Sequence, residues 1–392
     1  MPSHLLCPED YEYHTLEREA SLPMNVTCVE GFCGAGGMSI GLEKAGYDVR
    51  LAFDLDKHAV ETYKAGISIN CIQADVADLK AEDIFNRTGL TAGELTLFSG
   101  GPPCQGFSKQ RRGAHVFDDP RNYLIKEYAR LVNQLRPMTF ILENVAIFGQ
   151  HRGRYLLREF GEIMNEYKLY PNFYNAADYG VAQTRLRFIM VGMRKDVTTP
   201  FLKPLPTTER WSTVGEVIGD LPEPPFDYTD HPLFPNHQRA RVTQLNIDRF
   251  SHVPPGGGWQ DIPYNLRLPC HQKADTSSGG WPDVYGRLEW NGQCPTITGG
   301  FDSFTRGRYG HPLYDRPLTP REAARLQGFP DDIHFKGTRQ EVRRQIGNAV
   351  PPPLAMAIGT QILKTINADD DIYERIDLRG GIQGQLNLTS AA

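Results

Sequence analysis

The 392-residue chain contains no apolar run of about 18 residues, which removes a membrane-spanning helix from its expected elements. Near the start stand Pro2, His4, Cys7, Glu9 and Asp10. Neither a basic opening nor an apolar stretch is present there, so secretion is not expected. Cysteine is scarce and scattered, with seven residues at positions 7, 28, 33, 71, 104, 270 and 294. An odd, dispersed set argues against a disulfide framework and for a reducing compartment. No Cys-x-x-Cys pair or matched His/Cys spacing occurs, and Cys270 beside His271 is not a ligand set, so no structural metal is expected. Internal repeats and long low-complexity tracts are also missing. Net charge is only −5, which argues against a protein that coats nucleic acid. Basic residues nevertheless recur in short clusters: Lys109, Arg111 and Arg112; Arg152 and Arg154; Arg185 and Arg187; Arg239 and Arg241; Arg306 and Arg308; Arg339, Arg343 and Arg344. Each could be a solvated face, and together they could line a cleft.

What is present is the composition of an ordinary globular protein, 40% hydrophobic and 23% charged. The length suits one large domain and one smaller. Residues 26–29 read as a buried strand, followed by a glycine turn at 34–37 and a helix from Met38 that Gly46 can end. Further strands are predicted at 49–53, 71–73, 95–98 and 139–142, with helices at 56–64 and 123–135 between them. Alternation of this kind predicts an α/β fold, a parallel sheet with helices on both faces. Beyond about residue 200 prolines become dense, Pro254-Pro255-Gly256-Gly257-Gly258 follows, and regular helices should be few. A helical pattern returns at 351–366. The expected division is a cofactor-binding catalytic domain at 25–200 completed by 338–366, a smaller irregular domain at 201–337, and terminal extensions at 1–24 and 367–392.

In an open parallel sheet, ligands bind beyond the carboxyl ends of the strands. The five predicted strands are followed there by glycines, Asp54, Asp75, Cys104 and Glu143 in turn. A glycine turn lets backbone approach a cofactor, and an acid about 20 residues later commonly takes ribose hydroxyls. That pairing fits NAD, FAD or S-adenosylmethionine. Gly34 and Gly36 are followed by Ser39 where a third glycine would complete the dinucleotide fingerprint, which disfavours NAD. Cys104 follows Gly100-Gly101-Pro102-Pro103, a stiff loop that an inert buried thiol would not need. Glu143, buried beside a ligand, would have a raised pKa and could hold its proton near neutrality.

Ser99-Gly100-Gly101-Pro102-Pro103-Cys104-Gln105 and Ile141-Leu142-Glu143-Asn144-Val145 resemble signatures of the C5-cytosine DNA methyltransferases, the bacterial restriction-modification type. The likeness extends along nearly the whole chain, in the unpermuted order. Phe32 to Gly37 resembles the cofactor loop, residues 119–124 the block after the catalytic loop, and 183–187 the Gln-x-Arg-x-Arg block. Residues 316–330 and 345–351 match the last two blocks. Glu30-Gly31-Phe32-Cys33 departs from the usual Asp-Leu-Phe-Ala, Asp54 replaces a common glutamate, and Asn122 a frequent glycine.

The resemblance implies a Rossmann-like, S-adenosylmethionine-dependent domain and a target-recognition domain. It implies that the Cys104 thiolate adds to C6 of a flipped-out cytosine, so that C5 accepts a methyl group. Glu143 would act at N3, with Arg185 and Arg187 steadying the base carbonyl, the carboxylate or a phosphate. Cofactor contacts are expected from Phe32, Gly34, Ala35, Gly36, Gly37, Asp54, Leu55, Asp75, Val76, Pro102, Leu124, Asn348 and Ala349. Gln105, Ser108, Lys109, Arg111 and Arg112 would form a mobile DNA-binding loop after the nucleophile. In the second domain, Gly257, Arg287 and Thr298 are the expected recognition residues, while Trp259, Trp281 and Trp290 can equally be core. The expected partners are double-stranded DNA and a cognate restriction endonuclease, with no membrane. A monomer in the bacterial cytoplasm, associated with the nucleoid, is expected. Three rivals remain open: methylation of RNA cytosine, a non-catalytic DNA-binding relative, and a nicotinamide-dependent oxidoreductase.

Overall fold

Five apolar segments, each ending in turn residues, produce the first part of the sheet in the computed structural model, which describes residues 26–103, 123–150, 153–274 and 283–368. The strands are β1 (Thr27–Gly31), β2 (Asp48–Asp54), β3 (Cys71–Gln73), β4 (Leu97–Gly100) and β5 (Thr139–Val145). Neighbours among them pair in parallel. Between them lie helices α1 (Gly37–Lys44), α2 (Lys57–Gly66), α3 (Ala81–Thr88) and α4 (Tyr123–Leu135). The period-2 pattern of β5 divides two cores. Phe140 and Leu142 join the cluster containing Tyr128 and Phe160, whereas Ile141 joins the one containing Leu42 and Leu354.

The expectation of a parallel sheet needs correction. After α5 (Arg154–Ile163), the strands β6 (Tyr167–Asn175) and β8 (Leu186–Arg194) join through antiparallel pairings, so that β8 alone runs against the other six strands of this sheet; the two-residue β7 (Gln183–Thr184) lies just before β8. The seven-stranded order is β3-β2-β1-β4-β5-β8-β6. β8 is buried along most of its length because both of its faces are covered: Phe188 and Met190 join one core, and Ile189, Val191 and Met193 the other.

The proline-rich region is short of regular structure, as its composition predicts. It holds α6 (Val214–Ile218), α7 (Gln244–Phe250), α8 (Pro269–Gln272) and the short β9 (Cys294–Pro295), which pairs with β7. A small core of Phe250, Val253, Trp259, Ile262, Tyr285 and Phe304 is its own. Another cluster joins Leu288, Ile297 and Phe301 of this region to Ala35 and Ile40 of the first, and to Val342 and Ile346 beyond residue 337.

Three helices close the described chain: α9 (Pro320–Leu326), α10 (Arg339–Asn348) and α11 (Pro352–Ile366). Thr319 caps α9 in a reciprocal pair with Glu322. α11 lies so close to α1 that a side-chain carbon on Gly41 would stand 2.2 Å from the Pro352 carbonyl oxygen, a contact only glycine permits. Packing of this kind returns the far end of the chain to the first βα unit.

Candidate active site

The carboxyl ends of β4 and β5 are adjacent, with Gly100 opposite Leu142. Beyond them two features lock the following segments together. A Cβ on Gly101 would be 2.8 Å from Glu143 Oε2, so the backbone passes directly over the carboxyl group. Asn144, itself buried, donates from Nδ2 to the Pro102 carbonyl at 3.1 Å and accepts from the Val145 amide at 2.9 Å. Pro102 and Pro103 then lead to Cys104. Cys104, Gln105, Ser108, Lys109, Arg111 and Arg112 lie outside the described residues, as do Arg152, Trp281 and the extensions at 1–24 and 369–392.

Register on the antiparallel side brings Arg187 of β8 opposite Val145. Its Nε lies 3.1 Å from Glu143 Oε1, and both side chains are about 10% exposed. Burial raises the Glu143 pKa; Arg187 and, less strongly, Arg185 oppose this without reversing it. The outcome is a carboxyl group that holds a proton more readily than a solvated one while facing a guanidinium.

Arg185 differs from its expected role. Its Nη1 donates to the Ile297 carbonyl at 3.0 Å, and Nη2 donates to those of Gly347 and Ala349 at 3.0 and 2.8 Å. Its Nε is buried without a partner among the described residues. Instead of gripping a carboxylate directly, Arg185 ties β8 to the loop after β9 and to the end of α10, and acts on Glu143 through its charge.

A cavity of about 920 Å³ opens beside these groups. Phe32, Gly34, Asp54, Leu55, Asp75 and Val76 line it from the first three strand ends, Pro102 and Glu143 from the next two, Leu124 from α4, and Asn348 and Ala349 from the end of α10. Ala35, Gly36 and Gly37 do not line it. They are buried behind the wall, where a Cβ on Gly36 would meet Tyr63 and Ile67 and one on Gly37 would meet the Val350 carbonyl. Gly36 has φ +84°, so glycine serves the turn and the packing there. Phe32 is itself in the left-handed region at φ +56°, an uncommon conformation for an aromatic residue. Asp54 is held from both sides. Its Oδ2 accepts from the Gly34 amide and its Oδ1 from the Asp56 amide, each at 2.8 Å. Asp75 Oδ1 accepts from the Ala77 amide at 3.0 Å.

Some wall residues escape a reading of the sequence. Glu30, at the floor, accepts a hydrogen bond from Ser39, which in turn accepts one from Tyr63 at 2.7 Å. Burial pushes the Glu30 carboxyl up to about 8. Its departure from the family pattern, two residues before Phe32, marks the position without revealing that it lines the cavity. Asp56 of the α2 cap and Arg344 of α10 meet at 2.5 Å on the rim, and Gln345 accepts from Thr62 at 2.7 Å. Those partners are far apart in sequence, and no local pattern announces them.

The expected recognition residues divide. Thr298 is exposed, with Oγ1 3.2 Å from the Tyr309 hydroxyl. The Gly257 carbonyl accepts from Arg308 at 2.6 Å, inside a tight turn. Arg287 requires correction: it is buried, donating to the carbonyls of Val253, His311, Tyr314 and Phe250 and pairing with Asp315. Its guanidinium organises the fold of the region and has no free edge to offer a base. Trp259 is core, stacked on His271 at 4.7 Å, and Trp290 packs over Gly215 and Gly219. No cluster of three or more His, Cys, Asp or Glu suited to a metal occurs among the described residues, and none of their helices is long and apolar enough to cross a membrane.

Residues 26–364 match the family model of the C-5 cytosine-specific DNA methylases. The chain is 33% identical over 345 residues to the type II methyltransferase M1.HphI of Haemophilus parahaemolyticus, covering 87% of each protein. It is 34% identical over 363 residues to M.BbvI of Brevibacillus brevis, covering 86% of this chain and 90% of that one. Among solved structures, it resembles a protein described as a DNA modification methyltransferase encoded within a prophage (E. coli). The TM-score is 0.65 and the identity 27%, over 88% of this chain and all (100%) of the other. S. pombe Dnmt2 methyltransferase, at TM-score 0.55 and 17% identity over 88% of this chain and 100% of that one, shares the fold.

Proposed function

We propose, for a chain that belongs to the C-5 cytosine-specific DNA methylase family and is a DNA cytosine-5 methyltransferase, that it methylates a flipped-out cytosine in a specific duplex sequence through a covalent Cys104 adduct. The observation that carries this reading is the joint at Gly101, Pro102, Glu143 and Asn144 beside the cavity. A nucleophile one residue beyond Pro103 starts from a stem held against a buried acid.

S-adenosylmethionine suits the cavity by chemistry. Phe32, Val76 and Leu55 offer apolar faces, Asp54 and Asp75 offer acceptors for hydroxyl or amino groups, and buried Glu30 offers an acid. The volume of about 920 Å³ is at the upper end for small-molecule sites, leaving room for a pyrimidine as well. When bound, the cofactor supplies an electrophilic methyl group on a sulfonium. Phe32, Gly34, Asp54, Leu55, Asp75, Val76, Pro102, Leu124, Asn348 and Ala349 would hold it.

Cytosine C5 is too weak a nucleophile until a thiolate adds at C6, and that is the role of Cys104. Charge develops on the ring as the sulfur adds. A protonated Glu143 donates toward N3, while Arg187 fixes the carboxyl and balances it once the proton has moved. Because C6 is sheltered in a duplex, the base must leave the stack, and Gln105, Ser108, Lys109, Arg111 and Arg112, which follow the nucleophile in sequence, would contact the DNA. Residues 25–200 with 338–366 would form the catalytic domain and 201–337 the target-recognition domain, where Thr298 keeps an exposed edge for DNA. The relatives' designation as type II methyltransferases supports a restriction-modification role, with a cognate endonuclease of the same specificity.

The test is transfer of labelled methyl from S-adenosylmethionine to duplex DNA, followed by nucleoside analysis, with transfer RNA in parallel. Label in 5-methyldeoxycytidine from DNA alone is expected. Label only in RNA would support the rival substrate, and no transfer to either would favour a non-catalytic relative.

A further inference from the structure

We infer that Arg339 and Arg343, which share Asp302, and Arg306 on the same loop as that acid hold a backbone phosphate of the DNA strand whose cytosine enters the cavity. The inference rests on the function proposed above and extends it to residues outside the reacting groups.

Among the described residues, several arginines of the sequence clusters are already engaged. Arg185 serves three carbonyls, Arg187 serves Glu143, Arg239 serves Glu223, Arg308 the carbonyls of Gly256 and Gly257, and Arg344 serves Asp56. The group around Asp302 is different. Arg339 Nε and Arg343 Nη1 reach opposite oxygens of this single carboxylate, at 2.5 and 2.9 Å, and its side chain is 3% exposed. One carboxylate cannot neutralise two guanidinium groups. Arg339 Nη2 and Arg343 Nε are buried without a partner among the described residues, while the two side chains keep 27% and 28% exposure, so the excess positive charge of the group faces solvent. Arg306 lies over Gly300, where a Cβ would be 2.8 Å from its own Cβ. Its side chain is exposed and forms no ion pair among the described residues.

Position completes the case. The exposed residues Thr298 and Gly299 pack on Gly347, where a Cβ would lie 2.6 Å from the Gly299 amide nitrogen, and Gly347 lines the cavity. The preceding residue, Ile297, is hydrogen-bonded through its carbonyl to Arg185. A surplus of positive charge therefore borders the wall of the space proposed for the base. A lone ion-pair staple between this loop and α10 would need only one arginine. Two arginines on one acid, with the exposed Arg306 on the same loop, fit a monoanionic phosphodiester, recognised through charge and independently of sequence.

Arg306→Gln, Arg343→Gln and the double variant test this by anisotropy with a mixed-sequence duplex from 50 to 200 mM salt, with kinetics alongside. Each single change is expected to reduce the slope of log K against log salt by about 1. The double variant should raise KM for DNA by about tenfold, and KM should carry the loss in kcat/KM. Affinity for S-adenosylmethionine should stay at the wild-type value throughout, and Tm should stay at it in Arg306→Gln, which breaks no ion pair among the described residues. A wild-type salt slope and DNA KM in the double variant would overturn the inference. So would losses that merely follow a fall in Tm, which would leave a staple. Asp302→Asn adds a control: a phosphate site predicts lower Tm with DNA binding kept or tightened, whereas a staple predicts loss of both. If the wild-type enzyme transfers methyl to DNA while these variants match it, the inference alone fails; absence of transfer by the wild type would sink the proposed function itself.

Discussion

Two opposed effects meet on the carboxyl group of Glu143. Desolvation favours its neutral form, and Arg187 at 3.1 Å favours the anion, with desolvation the larger. Such a group can deliver a proton and then be stabilised without it. Glu143→Gln keeps the size and a donor but removes the transferable proton, so kcat should fall by roughly 10² to 10³ while S-adenosylmethionine still binds. Rapid-quench single turnovers at saturating cofactor would measure this, and a wild-type rate would remove Glu143 from the chemistry. Glu30 offers a second test. Its folded carboxyl, pushed up to about 8, is neutral over a range where the unfolded chain is ionised, so the native state binds the extra proton. Stability should therefore decline as pH rises from about 4.5 to about 8 and level off above. Glu30→Gln should flatten that decline in urea denaturation series, and an unchanged slope would contradict the assignment. Glu143 was legible from its place at a strand end; Glu30 stood out as a departure from the family pattern, but its place in the cavity wall depends on the distant partner Tyr63 and was not. Arg185 was legible as important but not in its role, because its three carbonyl partners lie more than 100 residues away.

Elements rather than single residues decide what the second half of the chain does. The strands β1 to β5 could be read because apolar runs alternate with helical periods and end in turn residues. β6 and β8 could not be assigned, since direction in a sheet depends on partners and not on local pattern. The antiparallel entry of β8 between β5 and β6 is what carries Arg187 to Glu143. Arg287 illustrates the same limit. An arginine in a glycine-rich, proline-rich region suggested contact with bases, but four carbonyls and Asp315 converge on it. Arg287→Ala would leave those acceptors buried and unmatched, so the expected result is a loss of about 3–5 kcal/mol in unfolding free energy. The sequence preference of the remaining folded enzyme should not change. A variant of wild-type stability with altered sequence preference would restore Arg287 to the recognition surface.

Across the whole molecule, the cavity is closed by parts of the chain separated by some 300 residues. The turn at Gly34 stands near the start, and Asn348 and Ala349 stand near the end of the described structure. α11 packs against α1, and Arg344 meets Asp56 on the rim, so cofactor-site geometry and global packing are coupled. A net charge of −5 gave little sign of a nucleic-acid partner because 47 acidic residues outnumber 42 basic ones, and a sum carries no information about where the charges lie. Only the arrangement of the arginines in space separates those near the rim with spare donors. The central claim, that residue 104 is a nucleophile delivered beside Glu143, is tested most directly with duplex DNA containing 5-fluorodeoxycytidine at the methylated position. Fluorine at C5 cannot leave as a proton, so the adduct persists. With S-adenosylmethionine, the account predicts a denaturant-resistant protein–DNA complex whose peptide map places the link at Cys104, absent in Cys104→Ser. A link at another residue, or a Cys104→Ser enzyme that still methylates DNA, would contradict it.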